Sequence, residues 1–101
     1  LPQVSWLRGD VAQLLRFHRS AQGRADLVVL DPPRKGAGRA VVEAITARAP
    51  RLTAYIACDP AALARDLKTF ADRGYGLRSI RAFDAFPMTQ HVETIAVLEP
   101  R

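Results

Sequence analysis

Leu27-Val28-Val29-Leu30-Asp31-Pro32-Pro33-Arg34-Lys35-Gly36 joins a short apolar run to one acid, two prolines and two cations. Nothing alternates within Leu27–Leu30. A strand with one wet face shows apolar and polar residues in turn, so a continuous run this short predicts a strand covered on both faces, as in a parallel sheet. The run stops at Asp31, and neither Pro32 nor Pro33 carries a backbone N–H with which to extend a ladder.

The flanking segments repeat the scheme. Residues 52–57 read as the next buried strand, which ends at Cys58. Asp59 then reads as a helix N-cap and Pro60 as the first helical residue, with Leu63, Leu67 and Phe70 at helical spacing and Gly74 as the stop. Between the two strand candidates, Val41, Val42 and Ile45 predict a helix over 39–49, with Pro50 just beyond its end. Upstream, residues 3–7 are a strand candidate ending at Gly9-Asp10. Val11, Leu14, Leu15 and Phe17 then recur near helical spacing, with Gly23 as the terminator. Strands alternating with helices define an α/β domain. The last third departs from this, because residues 77–83 and 92–98 are strand candidates joined by 84–91, too short for a helical crossover. They predict an antiparallel pair at a sheet edge.

With 101 residues, 49% of them hydrophobic and 25% charged, the chain suits one small domain with a genuine core. No apolar run reaches the roughly 18 residues needed to span a bilayer, and no leader pattern is present, which leads to the expectation of a cytoplasmic protein without membrane attachment. A single cysteine makes no internal disulfide and supplies no zinc thiolate set, so no metal site is expected. The net charge of +5, from 15 Lys+Arg against 10 Asp+Glu, favours polyanionic partners only slightly, since the arginines are scattered. The first residue is Leu1, and the chain is expected to be a piece of a longer protein.

Few residues stand where chemistry is done. Asp31 follows a strand directly, the position at which open α/β sheets bind ligands. The stiff Pro32-Pro33 exit could hold a flat base, and Asp-Pro-Pro can equally be a strand-ending turn. Arg34 and Lys35 could meet phosphates or simply be solvated. Cys58 lies between a strand and a helix N-terminus, where the helix dipole stabilises a thiolate and so makes a nucleophile; a structural cysteine is the alternative. Cys58 and Arg65 are separated by six residues, one more than a cysteine phosphatase loop has. Glu93 lies near the start of the last strand candidate and would serve as a general base if buried, or could face outward. His91 beside it can be an ordinary loop histidine. Asp10 could accept from an adenine amino group or cap the helix that starts there.

Taken in order, Asp31-Pro32-Pro33-Arg34-Lys35-Gly36, then Tyr55-Ile56-Ala57-Cys58-Asp59-Pro60-Ala61-Ala62-Leu63-Ala64-Arg65-Asp66-Leu67, then Asp84-Ala85-Phe86-Pro87-Met88-Thr89-Gln90-His91-Val92-Glu93-Thr94 resemble the RNA 5-methyluridine methyltransferase family, over nearly the whole chain. The resemblance implies the C-terminal portion of a Rossmann-like class I methyltransferase sheet, parallel strands closed by a terminal antiparallel pair. Residues 1–101 would form part of an S-adenosylmethionine-dependent domain whose glycine-rich cofactor loop and N-terminal RNA-binding region lie upstream.

The chemistry implied by the resemblance is methylation of uridine at carbon 5 in tRNA or rRNA. Cys58 matches the cysteine that adds to carbon 6, leaving an enolate that makes carbon 5 attack the methyl group of S-adenosylmethionine. Glu93 matches the base that removes the carbon 5 proton, after which elimination frees the thiol. Asp31 and Asp10 match cofactor-side acids, and Pro32, Pro33, Arg34 and Lys35 fall on the substrate side. Asp59 stands where the family usually has asparagine, Ala62 where it often has threonine, and Ala85 and Met88 also depart from commoner residues. The isolated chain is expected not to methylate RNA, and a folded, inactive interaction module is the alternative. Amino-methyltransferases share Asp-Pro-Pro but follow it with an aromatic residue, where this chain has Arg34, and they need no cysteine nucleophile.

Overall fold

The computed structural model describes residues 8, 10–17, 23–83 and 93–101. Its elements run α1 (Val11–Phe17), β1 (Leu27–Leu30), α2 (Arg39–Thr46), β2 (Leu52–Ala57), α3 (Pro60–Asp72), β3 (Tyr75–Phe83) and β4 (Glu93–Pro100). The four strands form one sheet in the order β1-β2-β4-β3. β1 and β2 are parallel, with Leu27 beside Leu52 and Leu30 beside Tyr55. β4 runs antiparallel to both β2 and β3.

The core lies on one face of this sheet. Tyr55 and Ala57 of β2 and Ala96 and Leu98 of β4 point there, meeting Val42 and Ile45 of α2 and Leu63 and Phe70 of α3. The Phe70 and Tyr75 rings meet edge-on, with centroids 6.4 Å apart. The Tyr75 hydroxyl donates to the Pro50 carbonyl at 2.9 Å, tying the start of β3 to the turn that precedes β2. Burial pushes this hydroxyl above the usual tyrosine range.

α3 begins as its sequence dictates. The Asp59 carboxylate accepts from the Ala61 N–H at 2.9 Å and the Ala62 N–H at 3.4 Å, satisfying two donors that the first helical turn leaves open, while Pro60 has no such donor to lose. Gly74 ends the helix at φ 89°, a backbone region open chiefly to glycine.

Three expectations change. The helix foreseen over 39–49 stops at Thr46. Pro50 disfavours helical geometry in the residue before it, and Ala49 takes φ 50° instead. β1 is not covered on both faces, since Leu27 and Val29 are 59% and 60% exposed while Val28 and Leu30 are partly covered. Among the described residues β1 has a strand neighbour on one side only, and the core lies on one face. The foreseen antiparallel pair does lie at one edge of the sheet, as β4 beside β3. β4 is central and β3 is the edge, because β4 is apolar on both faces (Ile95 and Val97 on one, Ala96 and Leu98 on the other) whereas β3 carries Arg78, Ser79 and Arg81. The strand boundaries also shift, to Tyr75–Phe83 and Glu93–Pro100.

The strand candidate at 3–7, the connection 84–91 and His91 lie outside the described residues. Among those described, no helix is long and apolar enough to cross a membrane.

Candidate active site at the carboxyl edge of the sheet

Strand registers decide which side chains share a face. Val29 pairs with Ala54, Ala54 with Val97, and Ile56 with Ile95. Leu27, Val29, Leu52, Ala54, Ile56, Ile95 and Val97 therefore occupy the face away from the core. Asp31 is two residues beyond Val29, Cys58 two beyond Ile56, and Glu93 two before Ile95. Side chains alternate along a strand, so Glu93 falls on that face, and the same alternation carried one residue past β1 and β2 would put Asp31 and Cys58 there too. They also fall at the same edge, where the parallel strands end and β4 begins. In the antiparallel ladder the last pair is Ala57 with Thr94; Cys58 follows the one and Glu93 precedes the other, so both lie at the same end of the β2–β4 pair.

Cys58 is a free, exposed thiol. It is not buried among the described residues. Glu93 is exposed as well, so it stands as the outward-facing strand residue rather than the buried one. Phe83, 47% exposed, pairs with Glu93 from the edge strand. No role was read for Phe83 from the sequence, and its place at the end of an amphipathic run gave no signal.

Asp31, Pro32, Pro33 and Lys35 line a cleft of about 380 Å³ whose remaining wall is mainly apolar, including Val29 and Val41. Val11 also lines it, which puts Asp10 beside the rim. Asp10 itself caps α1, its carboxylate accepting from the Gln13 N–H at 3.0 Å and its carbonyl from the Leu14 N–H at 2.9 Å. Arg34 is exposed and does not line the cleft; neither do Cys58 and Glu93. The structure thus gathers Asp31, Cys58 and Glu93 at one sheet edge and puts the cleft on the Asp31 side. Among the described residues no cluster of His, Cys, Asp or Glu is fit to hold a metal ion.

Sequence reasoning gave no role to Asp66, yet it joins the two halves of this edge. It is buried on α3, 4% exposed, in the same stripe as Ala62, Leu63 and Phe70. Its carboxylate accepts from the Ala37 N–H at 2.8 Å and the Gly38 N–H at 3.2 Å, and from the Tyr55 hydroxyl in a short bond. Burial first, then the bond to Asp66 and its negative charge, push the Tyr55 hydroxyl far above the usual tyrosine range. Gly38 precedes α2 as its N-cap with no side chain of its own, so Asp66 supplies the anion there from a distance. A carboxylate inside a helix's apolar stripe was the available signal, because an acid is rarely buried without partners.

Parallel strands closed by an inserted antiparallel strand define the class I methyltransferase type of α/β fold. The M1.HpyAVI–SAM complex shows the likeness at the level of fold, with a TM-score of 0.69 at 8% identity over 94% of this chain and 52% of that one. The Pyrococcus abyssi tRNA (uracil-54, C5)-methyltransferase, solved with S-adenosyl-L-homocysteine, superposes with a TM-score of 0.64 at 38% identity, over 72% of this chain and 18% of that enzyme. A model of the tRNA (uracil-5-)-methyltransferase family matches residues 16–101, and the chain belongs to that family. An uncharacterized RNA methyltransferase of Streptomyces avermitilis is 58% identical over 81% of the chain, and one of Thermotoga maritima 45% identical over 94%. The chain spans about a fifth of the length of these curated relatives, 19% and 21%.

Proposed function

We propose that these residues form the C-terminal catalytic part of an enzyme that methylates carbon 5 of uridine in tRNA or rRNA, working in the cytoplasm as one segment of a larger S-adenosylmethionine-dependent domain. The observation that supports the proposal is the antiparallel pairing of Ala57 with Thr94, which leaves an exposed thiol, Cys58, and a carboxylate, Glu93, one residue further on at the same end of the sheet. A pyrimidine carbon 5 is a poor nucleophile until something adds at carbon 6. The Cys58 sulfur forms that bond, and the electron pair released from the 5,6 double bond becomes an enolate reactive at carbon 5. After carbon 5 has been methylated, Glu93 takes its proton, the 5,6 double bond reforms and the sulfur leaves.

The cleft beside Asp31 has the chemistry to hold part of the methyl donor. Its wall is apolar and suits an adenosine body, and a single carboxylate suits hydroxyl, amine or cationic groups. S-adenosylmethionine bound there supplies an electrophilic methyl group. Asp31 would hold it, Asp10 at the rim would face its adenine side, and Pro32 and Pro33 would keep the wall stiff against the base. Arg34 and Lys35, exposed on the same loop, would take RNA phosphates.

The full-length protein incubated with S-adenosylmethionine and RNA containing 5-fluorouridine tests this. Fluorine does not leave as a proton, so the wild type accumulates a covalent RNA adduct and Cys58→Ala accumulates none. Glu93→Gln traps an adduct with ordinary uridine. An active enzyme that yields no adduct would refute the covalent route. The 101 residues alone, a fifth of their relatives' length, are expected to give no turnover, and robust methylation by them would contradict that part.

A further inference from the structure

We infer that Asp66 is a positioning residue, whose buried carboxylate holds the loop after Asp31 at a fixed spacing from the helix that follows Cys58. The inference rests on the methyl-transfer reading above and adds a residue to it. The loop 31–38 leaves β1 and has no regular structure until α2 begins at Arg39. Two prolines limit its backbone bonds, and its internal tie is the Gly36 N–H to the Pro33 carbonyl at 2.8 Å. What fixes it to the rest of the fold is Asp66, through the Ala37 and Gly38 N–H groups.

The approach is close. A Cβ added to Gly36 would lie 2.9 Å from the Asp66 carboxylate and 3.2 Å from the Ala62 Cβ, so the loop lies directly on α3. α3 in turn is anchored just after Cys58 by the Asp59 cap. A carboxylate bridging two N–H groups and a tyrosine hydroxyl makes charge-assisted bonds shielded from water, which resist displacement more than neutral ones. Asp31 on the cleft side and Cys58 on the nucleophile side are thereby parts of one rigid unit. A loop free to drift by an ångström would lose that relation.

The test uses the full-length protein and two readouts. In the wild type the Ala37 and Gly38 amides, though outside any helical ladder, exchange slowly with solvent deuterium, and fast exchange there would by itself overturn the inference. Asp66→Asn removes one acceptor oxygen and the charge. It is expected to speed exchange at Ala37 and Gly38 by about tenfold or more and to weaken S-adenosylhomocysteine binding about tenfold. Asp31→Asn combined with Asp66→Asn is expected to bind within about threefold of the weaker single variant, since residues acting through one another are not additive. Additive losses of about a hundredfold would sink the inference, as would loosened amides with unchanged affinity. Phe70→Leu weakens the core without touching the loop, and an equal loss of affinity there would reduce Asp66 to general stability. If the wild type itself binds no S-adenosylhomocysteine, the methyl-transfer reading fails, while the exchange arm still reports whether the clamp exists.

Discussion

Gly36→Ala is the sharpest single perturbation of the loop that carries Asp31. Gly36 sits at φ 93°, where an L side chain meets its own backbone, at a penalty of about 1–2 kcal/mol. The added methyl also arrives 2.9 Å from the Asp66 carboxylate, 3.2 Å from the Ala62 Cβ and 3.6 Å from the Ala62 carbonyl. Asp66 cannot swing aside without releasing Ala37, Gly38 and Tyr55, so the contact acts as overpacking of a filled site, about 1–3 kcal/mol. The two together come to about 2–5 kcal/mol. Gly74→Ala provides the comparison, since Gly74 has φ 89° but nothing within 4 Å of an added Cβ, leaving only the first penalty, about 1–2 kcal/mol. The lowered entropy of the unfolded chain, about 0.4–1 kcal/mol, favours both variants alike and cancels between them. Urea unfolding of the full-length protein followed by circular dichroism, with exchange at Ala37 and Gly38 as a local reporter, measures the difference. If the two variants fall within about 0.5 kcal/mol of each other, the loop does not lie on α3 as described.

Two further outcomes follow from particular residues. Tyr55 has its folded ionisation pushed upward, so its contribution to stability is complete below the ordinary tyrosine value of 10.0 and is lost as pH rises beyond it, because the unfolded hydroxyl ionises first. Stability of the wild type should therefore fall in alkaline solution more steeply than that of Tyr55→Phe, in which Tyr75 still titrates; parallel declines in urea midpoints would contradict the burial of this hydroxyl. Asp59→Ala removes the cap of α3 and should cost about 1 kcal/mol, whereas Asp59→Asn keeps an acceptor and should stay within a few tenths, and equal losses would show that the cap bonds do not matter.

How much of the site could be read directly from the residues depends on how local each signal is. The positions of Asp31 and Cys58 were legible, because each ends a strand candidate that is followed by proline-containing punctuation. Glu93 was legible as lying near the start of a strand, but the pairing of that strand with β2 was not, since it joins Ala57 to Thr94, 37 positions further along the chain. Asp10 and Asp59 were readable as caps from their neighbours alone. Asp66 escaped because its partners, Ala37 and Gly38, are 29 and 28 residues away. Its meaning lay in a buried stripe that only packing reveals.

The amino-acid order by itself determined the α/β class, the two apolar strands, the capped helix after Cys58 and the chemical types gathered at the turn residues. These follow from periodicity, φ restriction and missing donors, which act over a few residues. Tertiary structure alone decided that β4 slides between β2 and β3, that one face of β1 is exposed among the described residues, and that Cys58 and Glu93 come to the same end of the sheet. Strand pairing and burial depend on which distant segments compete for the same backbone donors and the same apolar surface, and no local pattern carries that information.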